Sequence, residues 1–229
     1  MDFKLFIPML IMMFLVTSCS NQTKDVDKKH HDKFTNQTEV HTKLHTDRKN
    51  GDVFVLNDMS VRLMGQSLRY EKGSYVRDSL LKEALSYSNA ALEKKEDFYY
   101  AYLNKANILK GLGKYDAAIK TLEELLKVKE DYPEAIFIMG LIYEKTGNMD
   151  KAKQKYKSAL KAYEDYLKTP MVTEQDKTNK DLVLLFIEGK GKALTRINEQ
   201  IKESPENSNL LINKQIIEQF NRVEYFKDF

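Results

Sequence analysis

AYLNKANILKGLGKYDAAIKTLEELLK, residues 101–127, and AIFIMGLIYEKTGNMDKAKQKYKSALK, residues 135–161, superimpose without a gap at an offset of 34 residues. Ala101 and Ala135, Ile108 and Ile142, Gly113 and Gly147, Asp116 and Asp150, Ala118 and Ala152, and Leu126 and Leu160 fall together. A fixed internal period of this size marks a repeat architecture. Within each copy two apolar-periodic stretches flank a glycine-centred turn, which predicts a helix, a tight turn and an antiparallel helix. A single hairpin of this length has too little core to fold alone, so its apolar faces are expected to be buried by stacking.

These positions resemble the tetratricopeptide repeat, with small residues, aromatics and a turn glycine at set places. Residues 133–166 carry Gly140, Tyr143, Gly147, Ala152, Tyr156 and Ala159, and residues 99–132 carry Tyr102, Ala106, Gly113, Tyr115 and Ala118, with Leu109, Leu122 and Leu125 as departures. Small side chains are needed because the paired helices are expected to touch where Ala106 or Gly140 faces Ala118 or Ala152; extra volume there costs about 1–3 kcal/mol. The register extends backwards to a degraded unit at 65–98 and forwards to a divergent one at 174–207, with a capping helix at 208–220. The resemblance implies an all-α fold, a right-handed superhelical solenoid of helix-turn-helix hairpins over residues 56–220.

In this family the first helix of each hairpin lines a concave groove that holds an extended peptide or a helix. The positions implied here are Tyr100, Leu103, Asn104, Asn107 and Lys110 in one repeat. Glu134, Phe137, Ile138, Leu141 and Glu144 are their counterparts in the next. Asn104 and Asn107 are the candidates for contacts to a partner backbone. The apolar centre Phe137, Ile138 and Leu141 reads either as a partner surface or as packing against the chain's own C-terminal helix. A cationic clamp for carboxylates is excluded, because Glu134 and Ile138 stand where the cations would be.

The start of the chain reads as an address. Residues 1–18 hold Lys4, then an apolar run over 5–16, too short for the roughly 20 residues of a spanning helix and right for a secretory signal. Val16-Thr17-Ser18-Cys19 is similar to the bacterial lipobox, which implies lipidation at Cys19 and anchoring by several acyl chains. Ser20 in place of Asp after that cysteine favours the outer over the inner membrane. Residues 19–55 are then a lipidated terminus and a tether, densely charged with a single aromatic, Phe34, over 20–52, and too poor in apolar surface to offset the cost of ordering. All four histidines, His30, His31, His41 and His45, lie in this tether. They are read as part of a solvated spacer, since a mobile segment lacks the outer partners that fix metal-binding imidazoles.

Composition narrows the rest. Thirty-seven Lys and Arg against 34 Asp and Glu leave a formal charge of +3, too balanced to indicate nucleic acid. One cysteine excludes an internal disulfide and a multi-cysteine zinc site. The repeat region lacks His and Cys, which removes Ser-His-Asp and Cys-His chemistry. Gly111-Leu112-Gly113-Lys114 places Asp116 where a dinucleotide loop needs a glycine, and Gly189-Lys190-Gly191-Lys192 is preceded by Phe186 where a phosphate loop needs one. The sequence therefore predicts a non-enzymatic, cofactor-free scaffold, anchored in a bacterial envelope, that binds an envelope protein or peptide. The alternatives are a structural subunit of an outer-membrane assembly or secretion complex, and a carbohydrate-binding envelope lipoprotein, the latter disfavoured by the lack of tryptophan.

Overall fold

The computed structural model describes residues 51–170 and 172–229, so the signal, the lipobox cysteine Cys19 and most of the tether lie outside the described residues. Ten helices follow one another, with no strand among the described residues. They are α1 (Val53–Ser67), α2 (Tyr75–Lys94), α3 (Tyr99–Gly111), α4 (Tyr115–Val128) and α5 (Pro133–Lys145). The chain continues through α6 (Met149–Tyr166), α7 (Glu174–Glu188), α8 (Lys190–Glu203), α9 (Ser208–Gln219) and α10 (Arg222–Asp228). The described residues form two compact units, divided between Lys114 and Tyr115, and each is taken by itself.

In the first unit α1 packs along α2 and both touch α3. Asp52 caps α1 by accepting from the amide of Phe54 at 2.8 Å, and Ser74 caps α2 from Arg77. Leu56, Tyr87, Ala91, Phe98 and Ala101 form a buried cluster. Two polar contacts cross it: the Ser60 and Ser88 hydroxyls meet at 2.7 Å, and the Asn104 amide donates to Asn57 Oδ1 at 2.8 Å.

This unit corrects the register expected at its start. The helix paired with α2 is α1, ending at Ser67, and residues 68–74 are a connection, so no hairpin begins at 65. Lys72 lies in the connection and Ser79 inside α2, so neither stands in the first helix of a hairpin or in its turn. The sequence explains the shift: the apolar positions Leu56, Leu63 and Met64 form a helical face upstream of the assumed boundary. Helix also extends beyond 56–220 at both ends, from Val53 to Asp228, where Asp52 and Asn221 supply the caps.

In the second unit consecutive helices from α4 to α9 pack on one another, and α7 also touches α9. Gly147, at φ 82°, ends the turn after α5: its amide bonds to Glu144 O and that of Asn148 to Tyr143 O, closing the helix through a left-handed residue. At the end of α3 the same pair recurs: the amide of Gly113, at φ 71°, bonds to Lys110 O and that of Lys114 to Leu109 O. The repeated glycine thus has one cause in both copies, a conformation that a Cβ disfavours.

Ala106, Ala118, Ala135, Ala152 and Ala159 are all fully buried. The facing partner of Gly140 differs from the expected Ala152. A Cβ there would lie 2.6 Å from Tyr156 Cε1 and 3.3 Å from Lys155 Cβ. The glycine makes room for the ring of Tyr156, two of whose carbons would lie within 2.7 Å of an added Cβ.

Candidate peptide-binding site

Of the expected groove positions, those on α3 lie in the first unit. Leu103, Asn104, Asn107 and Lys110 are buried and Tyr100 is half-buried, its ring 5.7 Å from that of Phe98. The Asn104 amide is committed to Asn57, so it is a structural hydrogen bond. Asn107 is fully enclosed, and neither atom of its amide has a hydrogen-bond partner among the described residues. Burial lowers the Lys110 ammonium to about 8.

The positions on α5 belong to the second unit. Phe137, Ile138 and Leu141 are buried, and Glu134 nearly so. Asn179 of α7 reaches Glu134 Oε1 at 3.5 Å, and burial pushes the Glu134 carboxyl above its ordinary range. Phe137 meets the rings of Tyr156 on α6 and Phe186 on α7, with centroids 5.7 and 5.5 Å away. Of the two readings of this apolar centre, the burial supports packing within the chain: Phe137, Ile138 and Leu141 are enclosed, and α6 and α7 cover Phe137. The capping helix over 208–220 is not the segment that reaches Glu144; α10, beyond it, is.

Glu144 is the one groove position with a ligand-like partner. Its side chain is 9% exposed and takes three hydrogen bonds: Tyr156 Oη to Oε2 at 2.7 Å, Arg222 Nε to Oε1 at 2.5 Å and Arg222 Nη2 to Oε2 at 2.6 Å. The third arm of the guanidinium, Nη1, donates to the carbonyl of Phe186 at 3.0 Å, and its carbon lies 5.1 Å from the Phe186 ring centroid. The hydrogen bond with Glu144 raises the affinity of Arg222 for its proton, and burial raises the Tyr156 hydroxyl far above its ordinary range.

Two further contacts hold the tail through its backbone. Lys145 Nζ donates to the Phe226 carbonyl, and Tyr115 Oη to that of Phe229 at 3.3 Å. Tyr225 and Phe226 turn their rings toward Phe186, at 5.6 and 6.1 Å. Arg222, Lys145, Phe186, Tyr225 and Phe226 were absent from the residues expected in the site. The spacing of Arg222, Tyr225, Phe226 and Phe229, one helical stripe closing the chain, is the sequence signal that points to them.

A separate cavity of about 220 Å³ lies among α7, α8 and α9, lined by Lys177, Thr178, Asp181, Gln200 and Asn213 among others. Asp181 sits 3.5 Å from Arg196, and burial raises its carboxyl. Among the described residues no group of three or more His, Cys, Asp or Glu side chains could hold a metal ion, and no helix is long and apolar enough to cross a membrane.

Comparison with known proteins agrees with the repeat. A family model described as TPR repeat matches residues 106–147, and one described as tetratricopeptide repeat matches 134–166. No curated protein matches the chain. Similar solved structures include MamA, 20% identical, covering 56% of this chain and 87% of that one at a TM-score of 0.38. YrrB, described as a TPR protein with an unusual peptide-binding site, is 15% identical over 80% of this chain and 87% of that one, at 0.42. A tetratricopeptide repeat protein from Parabacteroides merdae ATCC 43184 is 19% identical over 78% and 71%, at 0.42. The two family models meet over 106–166, where the buried alanines, Gly140 and turn glycines stand in their places, and this stretch belongs to the tetratricopeptide repeat family.

Proposed function

We propose that this protein is a lipid-anchored, non-catalytic scaffold of a bacterial envelope, held by Cys19 to a membrane, the outer more than the inner, and that its repeats grip a segment of an envelope protein. The observation that carries the binding half is the seating of residues 222–229: a short stretch of chain held on α4, α5 and α7 through one charged side chain and two main-chain oxygens, as a peptide ligand would be. The anchoring half is supported by the apolar run over 5–16 and by Val16-Thr17-Ser18-Cys19.

Two experiments test the halves separately. Growth with an alkyne fatty acid should label the wild-type chain and not Cys19→Ala; equal labelling removes the anchor. A photoreactive residue at Val223, 68% exposed on the tail, should crosslink a discrete envelope protein in intact cells. A chain that crosslinks to no protein from this position loses the scaffold reading.

The structural-subunit alternative gains from the burial of Phe137, Ile138 and Leu141, since contacts would then fall on other faces, such as that of Phe54, 62% exposed, and Tyr75, 87% exposed. Carbohydrate binding gains nothing from the cavity among α7, α8 and α9, whose lining holds no aromatic ring on which a sugar could stack.

A further inference from the structure

We infer that the face formed by Glu144 and Phe186 is an arginine-recognition site, and that its partner is a protein segment in which an arginine is followed at the third and fourth residues by aromatic side chains. The chain's own tail occupies the site as a built-in competitor. This rests on the reading above that the repeats bind a protein segment, and gives that segment its chemistry.

The demand for a cation comes from Glu144. A carboxylate with only 9% of its side chain exposed is costly unless a positive charge faces it, so whatever covers this face must bring one. The geometry selects which one. Two parallel bonds, Nε to Oε1 and Nη2 to Oε2, need a planar fork, while the third arm must reach the Phe186 carbonyl as the plane lies near the ring. A guanidinium meets all three conditions; a lysine ammonium is a point charge that cannot.

The remaining contacts divide by specificity. The bonds from Lys145 and Tyr115 end on main-chain carbonyls and would hold any segment of the same backbone shape. Selection beyond the arginine falls to the aromatic pair against Phe186.

The tail is held by its contacts to the face and not by its own helix. α10 has seven residues, too few for a stable helix by itself, and joins α9 through Phe220 and Asn221, both extended. A tethered segment competes at an effective concentration on the order of millimolar, so a partner engages when its own contacts exceed that or when the tail is loosened.

The test uses the full chain and a fluorescent peptide of residues 221–229, NRVEYFKDF. Arg222→Ala in the chain should bind this peptide at least tenfold more tightly than the unmodified chain. Replacing the peptide's arginine by lysine should weaken binding at least tenfold, and by alanine abolish it. Should Arg222→Ala fail to fold, Arg222→Lys, which keeps a positive charge near Glu144 and loses the fork, supplies the reading: it should bind the native peptide more tightly than the unmodified chain does, and the peptide with lysine in place of the arginine at least tenfold more weakly than the native one. Equal binding of arginine and alanine peptides overturns the inference, as does binding to neither loosened chain. A dimer of the unmodified chain that dissociates on Arg222→Ala would make a second copy the occupant and also overturn it. If these titrations fail while Val223 still crosslinks an envelope protein, the inference falls and the scaffold reading stands.

Discussion

Arg222 closes on Glu144 from 78 residues away in the chain, its Nε 2.5 Å from Oε1 and its Nη2 2.6 Å from Oε2. Removing the guanidinium leaves the buried carboxylate without its cation, and Arg222→Ala should lower stability by about 1–3 kcal/mol. Arg222→Ala with Glu144→Ala together should recover part of that loss. Urea unfolding of the two single variants and the double one yields the coupling directly; additive effects would show that the pair does not act as one.

Gly140→Ala sets a methyl group against the Tyr156 ring, whose freedom to move is limited by its hydrogen bond to Glu144 and by the rings of Phe137 and Phe186. The expected loss is about 1–3 kcal/mol. Gly65→Ala, inside α1 with nothing within 4 Å of the added atom, should instead gain about 0.5–1 kcal/mol. Thermal melts of both variants separate close approach from simple chain flexibility.

Asn104→Ala should cost about 1–3 kcal/mol, because it strands the Oδ1 atom of Asn57, itself buried. Replacing both asparagines by leucine should cost less than the single change. A residue kept only for a partner would leave the melting temperature where it was.

Lys110 gives stability a slope with pH. Its folded value, about 8, lies below the ordinary 10.5, so between these limits the unfolded chain binds more protons than the folded one. Stability should therefore rise as pH climbs above 8, the burden of the buried charge being fully present below that value. Lys110→Met should flatten the rise and raise the melting temperature at pH 7. Denaturant unfolding from pH 7 to about 9 checks this, below the ordinary tyrosine value near 10.

Residues 99–166 were legible because their repeat is written in local needs. Gly113 and Gly147 end helices through positive φ, and the alanines disappear wholly into the interior, so one residue type suffices to show each requirement. The partner of Gly140 was less legible: a small residue announces that something comes near, not that it is the ring of Tyr156. The first hairpin was misplaced because a strict period was carried into a unit whose helices are joined by residues 68–74. The groove positions were placed by analogy, and packing against the chain's own C-terminal part stood open beside partner binding; what the analogy did not give is that α6 and α7 cover Phe137 and that α10 reaches Glu144. No local pattern ties Glu144 to Arg222; only the fold brings an acid and a base so distant in sequence into register.

The space left by the missing methyl of Gly140 has an effect beyond the helix that carries it. Tyr156 comes close there, and from that position its phenol donates to the acid that Arg222 meets. The hold on the chain's own tail is thus set from the interior: a change at one silent backbone position would shift the anion without altering any atom of the tail.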